Sequence, residues 1–184
     1  MSSPQRHREE RFGSLFADAY LDVLRFAQRR VHPSHAEDVA AEVFLVAWRR
    51  LDQTPRTAGD ARAWLFGIAR HCLLNAERGQ DRRDALAVRI SETTAPQAWA
   101  GPDPELVGRQ LDLAAGWRRL SMGEQEVLAL TAFDDLTSPQ AARVLGITAA
   151  AYRLRLMRAR RALRRHLELA DPFRADDTIQ ETTA

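Results

Sequence analysis

Apolar residues recur at three- and four-residue steps along most of this chain, and this spacing constrains its fold more than any other feature. From Gly13 to Val31 they form one stripe of a helix, and the segment from Ala36 to Leu51 carries two stripes. The same spacing predicts a third helix from about Arg62 to Arg83. No stretch alternates apolar and polar residues as a half-buried strand does. The sequence therefore predicts an all-α fold.

Turn-forming residues divide these helices into two small helical domains. HPSH at 32–35 ends the first helix, and the stretch from Asp52 to Ala61 is a loop by its Pro, Gly and Thr content. The stretch from Val88 to Glu105 holds three prolines and little periodicity, which predicts a flexible linker. Helix resumes from Leu106 to Leu120 and is followed by a capping-box pattern, Ser121 with Glu124.

The last two helices have the pattern of a helix-turn-helix. Thr137 or Ser138 can cap the first, Gly146 stands at the turn, and Thr148 caps the second. On a helical wheel Tyr152 marks a narrow apolar face of the final helix. Joining it on that face are Leu156, Ala159, Leu163 and Leu167.

The opposite face of the final helix is strongly positive. The stretch TAAAYRLRLMRARRALRR, Thr148 to Arg165, holds seven arginines and no acidic residue. Such a helix suits a membrane surface, a partner protein or the phosphates of nucleic acid. From Leu136 to Leu167 there are eight arginines and no Asp or Glu, whereas Glu168 to Ala184 is net −4. This uneven charge, together with the turn pattern, favours DNA.

Other classes of function find little support in the sequence. All 27 basic residues are arginine, and the single Cys72 excludes an internal disulfide and fits a reducing cytoplasm. The HPSH pair, His32 and His35, has no second ligand pair at suitable spacing, and His71 beside Cys72 points away from it on a helix. We expect no metal, no cofactor and no enzymatic activity. The N-terminus lacks a signal peptide and no apolar run could span a membrane, which predicts a cytoplasmic protein without membrane insertion.

Two segments resemble a known family. TSPQAARVLGITAAAYRLRLMRARRAL resembles the fourth conserved region of bacterial sigma factors, which recognises the −35 promoter element. AEDVAAEVFLVAWRR followed by ARAWLFGIARHCLLNAERGQDRR resembles their second conserved region. With both regions in this order, the chain resembles an extracytoplasmic-function (ECF) sigma factor. The resemblance implies a region 2 domain at 11–86 and a region 4 domain at 106–168. Composition predicts the rest: a polar, disordered N-terminus at 1–10, the linker at 87–105 and an acidic disordered tail at 169–184.

The resemblance also implies partners and sites. Core RNA polymerase would bind region 2, and promoter DNA would bind both domains. An anti-sigma factor would hold the chain inactive. The implied core-binding residues are Glu37, Asp38, Glu42, Phe44 and Trp48. The implied −10 residues are Arg62, Arg70, His71, Asn75, Arg78, Arg82 and Arg83, with the loop 52–61. The implied −35 residues are Thr148, Ala149, Ala150, Arg153, Leu154, Met157, Arg158 and Arg161.

Several alternatives stay open at this point. Phe44, Trp48 and Trp64 can equally be core residues. His71 stands where the family usually has Asn, and Asn75 where it usually has Asp. The identity of the −10 bases that the chain would read therefore stays open. The apolar side chains of Leu154 and Met157 can touch thymine methyl groups or meet a regulator. A helix-turn-helix regulator that never joins polymerase is the main alternative function, and an interaction protein that sequesters a partner is another.

Overall fold

The computed structural model describes residues 3–76 and 104–169. The predicted −10 residues Arg78, Arg82 and Arg83 lie outside them, as do residues 87–103 of the predicted linker 87–105 and residues 170–184 of the predicted tail. The linker prediction is wrong for Pro104 and Glu105, which begin a helix. Within the described ranges the chain is helical and contains no strand. The helices are α1 (Ser3–Gln28), α2 (Pro33–Arg49), α3 (Ala58–Ala76), α4 (Pro104–Arg118), α5 (Met122–Ala132), α6 (Ser138–Leu145) and α7 (Ala149–Glu168), with a 3-10 turn at Leu51–Gln53. None of them combines the length and apolar character that crossing a membrane requires.

The first module consists of α1, α2 and α3, each packed against the other two. Its centre is apolar: Val23, Phe26 and Val43 are fully buried, and the rings of Phe26 and Phe66 stack with their centroids 4.7 Å apart. Full burial of side chains of this size contributes about 1.5–3 kcal/mol each. The predicted apolar stripes therefore form this core.

The expectation of a disordered segment at 1–10 is wrong for residues 3–10, which form the start of α1. Arg8 explains the difference. Its guanidinium lies 5.1 Å from the centroid of the Trp48 ring, and its Nη2 donates a hydrogen bond to the Trp48 carbonyl oxygen at 2.8 Å. These contacts fix the first turns of α1 against the end of α2, so the polar composition of the segment is misleading.

The loop before α3 is shorter than the predicted range of 52–61. After the 3-10 turn, α3 begins at Ala58 instead of Arg62. The Thr57 hydroxyl accepts a hydrogen bond from the Asp60 backbone N–H at 3.2 Å, as a helix-capping side chain does. This cap extends the helix through Gly59 and Asp60.

The second module consists of α4 to α7, with α7 packed against each of the other three. The capping box at Ser121 and Glu124 is confirmed, since Ser121 accepts from the Glu124 N–H and Glu124 accepts from the Ser121 N–H. Tyr152 of α7 is fully buried and donates its hydroxyl to the Val127 carbonyl oxygen at 2.8 Å. This bond fixes the rotation of α7 about its axis, so its apolar face meets α5.

The turn between α6 and α7 is a left-handed cap at Gly146, as the pattern predicts. Gly146 has φ 66° and ψ 34°, and Thr148 then caps α7 by accepting from the Ala151 N–H at 3.1 Å. The left-handed region costs a residue with a Cβ about 1–2 kcal/mol. The glycine therefore determines the angle at which α7 leaves the turn.

Gly146→Ala is expected to lower the free energy of unfolding by about 1–2 kcal/mol, measured by urea denaturation. Gly123→Ala is the matched control, because a Cβ at Gly123 meets nothing within 4 Å and its φ is not positive. Equal stabilities of the two variants would contradict the role of the turn.

The two modules pack against each other through α3 and α6, and their buried side chains form one continuous core. At the start of α3, a Cβ placed on Gly59 would lie 2.9 Å from Nε2 of Gln140. We call this packing of α3 on α6 the closed arrangement. Two tethered modules were predicted from the sequence, but this contact between them was not.

Candidate nucleic-acid interface

The outer face of α7 is a positive surface on a rigid helix. The side chains of Arg153, Arg158 and Arg161 are exposed, whereas Tyr152 and Leu156 on the opposite face are buried. Glu168 at the end is the helix's one acidic residue, against seven arginines. The predicted −35 residues are thus placed together on the solvent side, except that Ala149 is half-buried and Thr148 also serves as the cap.

An apolar patch lies within this positive surface. Leu154 and Met157 are 45% and 60% exposed. Met157 also borders a groove beside the N-terminus of α6 at Ser138. Two further arginines border the same groove, Arg160 and Arg164. Arg160 and Arg164 are absent from the predicted −35 set, although their place among the seven arginines of α7 was a sufficient signal.

Of the predicted −10 residues, Arg62 and Arg70 turn toward the second module. Nη1 of Arg62 donates to Asp22 of α1 at 3.2 Å, and its Nη2 donates to the backbone oxygens of Asp134 and Asp135 at 3.1 and 3.3 Å. Arg70 donates to both carboxylate oxygens of Glu126, at 2.7 and 3.4 Å. Both guanidinium groups therefore already have oxygen acceptors.

The two other predicted −10 side chains that the structure describes lie on another side of α3, and the predicted loop lies beside its start. His71 and Asn75, one helical turn apart, are exposed. The loop before α3 borders an open cleft whose other wall is α1. The cleft is lined by charged groups from both elements, namely Arg11, Asp18, Arg56 and Arg62. Sequence reasoning missed Arg11 and Asp18, because only the packing of α1 on α3 brings them to the loop.

The acidic residues predicted for polymerase binding lie together on the exposed side of α2. Glu37, Asp38 and Glu42 are exposed. Leu45, seven residues after Asp38 and therefore on the same face, is 58% exposed and was missed. Phe44 is one position, about 100° around the helix, from Leu45. It is only 4% exposed, so the structure makes it a core residue and removes it from the predicted docking surface.

The aromatic residues near Phe44 form a cluster between α1 and α2. The Phe16 and Phe44 ring centroids are 4.8 Å apart, and Phe12 meets Trp48 edge to face at 5.1 Å. Trp48 is half-buried and covered on one side by Arg8. Trp64 is also half-buried and packs on the core. Both tryptophans are thus mainly structural in this arrangement.

Cys72 has no sign of reactivity. Burial, and next the nearby Glu42 carboxylate, raise the pKa of the Cys72 thiol to about 11, so the thiol stays protonated at neutral pH. His32 accepts from the Ser34 N–H as the N-cap of α2, which gives the HPSH motif a structural role. In the parts of the chain that the structure describes, no group of three or more His, Cys, Asp or Glu residues could hold a metal ion.

The chain matches two family models in the order of the two modules. Residues 15–83 match Sigma-70 region 2, and residues 118–163 match Sigma-70, region 4. The first range covers most of α1 through α3, and the second runs from the end of α4 into α7. The two modules therefore correspond to the two regions that the sequence resembled.

Known relatives and solved structures agree with these matches. The chain is 31% identical over 138 residues to ECF RNA polymerase sigma factor SigL of Mycobacterium tuberculosis, covering 73% of this chain and 76% of SigL. RNA polymerase sigma factor NccH of Alcaligenes xylosoxydans is also 31% identical over 138 residues, 72% of this chain and 73% of NccH. The structure of CnrH with the cytosolic domain of CnrY matches with a TM-score of 0.57 and 27% identity, covering 86% of this chain and 88% of CnrH. By these likenesses, the chain belongs to the ECF RNA polymerase sigma factor family.

Proposed function

We propose that this chain is a sigma subunit that binds core RNA polymerase through α2, the −10 promoter element through the first module and the −35 element through α7. The observation that carries the proposal is the outer face of α7, the second helix of the helix-turn-helix, where exposed arginines surround a small apolar patch. The main alternative, a regulator that never joins polymerase, has no observation in its favour.

The −35 contact follows from the chemistry of α7. The second helix of a helix-turn-helix lies in the major groove, where arginine can donate two hydrogen bonds to guanine. Arg153 and Arg158, exposed on α7, can donate to guanine edges, and Leu154 and Met157 can contact thymine methyl groups. Arg161, Arg160 and Arg164 continue the surface and suit phosphates.

The −10 contact uses α3 and the cleft at its start. An unstacked base needs a pocket with hydrogen-bonding side chains, and the strand around it needs cations. The cleft offers Arg11, Arg56 and Arg62 around one carboxylate, Asp18. His71 and Asn75, exposed on α3, can bond to base edges.

Core polymerase would dock on the acidic side of α2. Asp38, Glu42 and Leu45 form a charged face with one apolar anchor, which fits a basic, partly apolar helical partner. In this role the chain acts in the cytoplasm without catalysing a reaction or holding a cofactor. An anti-sigma partner is part of the proposal, and CnrH, which resembles this chain, was solved as a complex with the cytosolic domain of another protein, CnrY.

Reconstitution with purified core RNA polymerase tests the proposal. We expect the full chain to direct transcription from promoters recovered by selecting random DNA with the holoenzyme, and core alone to give none. A chain that binds the selected DNA but never associates with core would instead be a regulator, and the proposed function would be wrong.

A further inference from the structure

The two arginines of α3 that are assigned to the −10 element are held by the second module. Glu126 of α5 accepts from Arg70 through both carboxylate oxygens, and the side chains are only 8% and 20% exposed. Arg62 donates to backbone oxygens in the turn between α5 and α6. Charge-assisted and two-pronged bonds of this kind are what an arginine makes with a phosphate. The second module therefore presents to these arginines the oxygens that DNA would present.

A second set of contacts anchors the same turn. Asp134 is completely buried and pairs with Arg29 and Arg30 at the end of α1, the latter at 3.3 Å. The Arg30 guanidinium also stacks 3.5 Å above the Phe26 ring. The turn therefore cannot leave α1 without exposing this pair to water.

A third contact joins the start of α3 to α6. Asp60 accepts from Arg143 and, at 3.2 Å, from Nε2 of Gln140. Gly59 allows this approach, because any Cβ there would press on Gln140. This contact lies next to the loop that borders the −10 cleft. The second module therefore also limits access to the start of α3.

We propose that the α5–α6 turn and Glu126 are an intramolecular ligand of the −10 surface, so that the free chain holds its own Arg62 and Arg70 in place of promoter DNA. This inference rests on the proposed function, because it takes the arginines of α3 as DNA-binding. The closed arrangement is then self-inhibited for −10 binding, and the modules separate before both promoter elements are bound.

The distance between the promoter elements requires that separation. By their numbering they lie roughly 25 base pairs apart, about 85 Å at 3.4 Å per base pair. The 140 residues that the structure describes, packed as one body, have a radius of gyration of about 14 Å and hence a diameter of about 37 Å. The 27 residues between α3 and α4 can span at most about 97 Å, so separated modules can reach both elements.

The other two surfaces stay accessible in the closed arrangement. Asp38, Glu42 and Leu45 on α2 are exposed, as are Arg158 and Arg161 on α7. Core polymerase or −35 DNA can therefore bind first. The −10 surface becomes available only when a partner with stronger contacts to separated modules shifts the equilibrium.

Glu126→Gln is the sharpest test, because it removes the charge that holds Arg70 and keeps the size of the side chain. Asp134 is a poorer choice, since its loss would leave Arg29 and Arg30 without their partner and endanger the fold. The probe is a fluorescein-labelled single-stranded DNA of mixed sequence, titrated by anisotropy with the full chain and no polymerase. We expect Glu126→Gln to bind it about fivefold more tightly than the wild type, within the usual range of coupling between sites.

Asp112→Asn is the matched control, because it removes one carboxylate from α4, which packs on α7, and should leave affinity unchanged. Arginines of α7 are exposed in the closed arrangement, and their contribution is common to all variants. Pulsed dipolar spectroscopy between spin labels on the two modules is read in parallel. Glu126→Gln should lengthen the distance, and Asp112→Asn should not.

A crosslinked form provides the opposite test. The variant Gly59→Cys with Gln140→Cys, joined by a short bis-maleimide, fixes the closed arrangement, while buried Cys72 stays unreacted. We expect the crosslinked chain to bind single-stranded DNA more weakly than the wild type, with only the contribution of the α7 arginines left, and to bind duplex DNA as the wild type does. The singly substituted chains, treated alike, are the controls.

Unchanged affinity in Glu126→Gln, or undiminished single-stranded binding by the crosslinked chain, would overturn the inference. Neither result affects the proposed function, which stands if the wild type with core polymerase initiates at selected promoters. Loss of that activity would instead overturn the proposed function, whatever the distances show.

Discussion

Asp38→Arg is expected to abolish association of the chain with core RNA polymerase. Asp38 is exposed in the first turns of α2, on the face that also carries Glu42 and Leu45. Placing like charges opposite each other across an interface costs several kcal/mol, which corresponds to a loss of roughly a hundredfold or more in affinity. Co-purification with core and the dissociation constant by biolayer interferometry measure the effect.

Glu10→Arg is the control for this charge reversal. Glu10 is exposed on α1, whose first turns pack beside the end of α2 and therefore far from Asp38. The Glu10→Arg variant should keep wild-type association with core and the wild-type circular dichroism spectrum. If Asp38→Arg also co-purified with core at wild-type yield, α2 would not be the docking surface.

Loss of Arg158 and Arg161 together is expected to weaken binding to −35 duplex DNA by at least about tenfold and to flatten its salt dependence. Each phosphate contact contributes about 0.9 to the slope of log affinity against log salt. If both arginines contact phosphate, the double alanine variant should therefore lose about two units of slope. If one reads a guanine instead, the slope should fall by about one unit and discrimination at one base should relax.

The matched control replaces Arg118 and Arg119, two exposed arginines at the end of α4, with alanine. It removes the same charge from the same module but leaves the outer face of α7 intact. Titrations at several salt concentrations should give its slope close to that of the wild type. Equal slopes for both double variants would mean that α7 does not contact the phosphates.

The local features of the second module were predictable from sequence. The capping box at Ser121, the turn glycine Gly146 and the buried face beginning at Tyr152 are each encoded within a few residues. Helical periodicity and capping depend on neighbours three or four positions away, which a sequence displays directly. The positive outer face of α7 was predictable from the same helical periodicity.

Features that depend on distant segments were not predictable. Residues 3–10 look like a polar tail, and only the contact of Arg8 with Trp48 makes them helical. Phe44 belongs to a second apolar stripe that could face either a partner or α1, and the packing of Phe16 decides it. The pair of Arg70 with Glu126 joins residues 56 positions apart, and the sequence near either residue does not indicate it.

The buried pair of Arg30 with Asp134 makes the strength of the contact between modules depend on temperature. Loss of hydration lowers the pKa of Arg30 to about 10, yet the group stays protonated at neutral pH, so a full charge is kept from water. Because hydration of ions becomes less favourable on warming, the cost of hiding that charge falls as temperature rises. Heat short of unfolding therefore strengthens the hold of one module on the other through this pair, and cold loosens it.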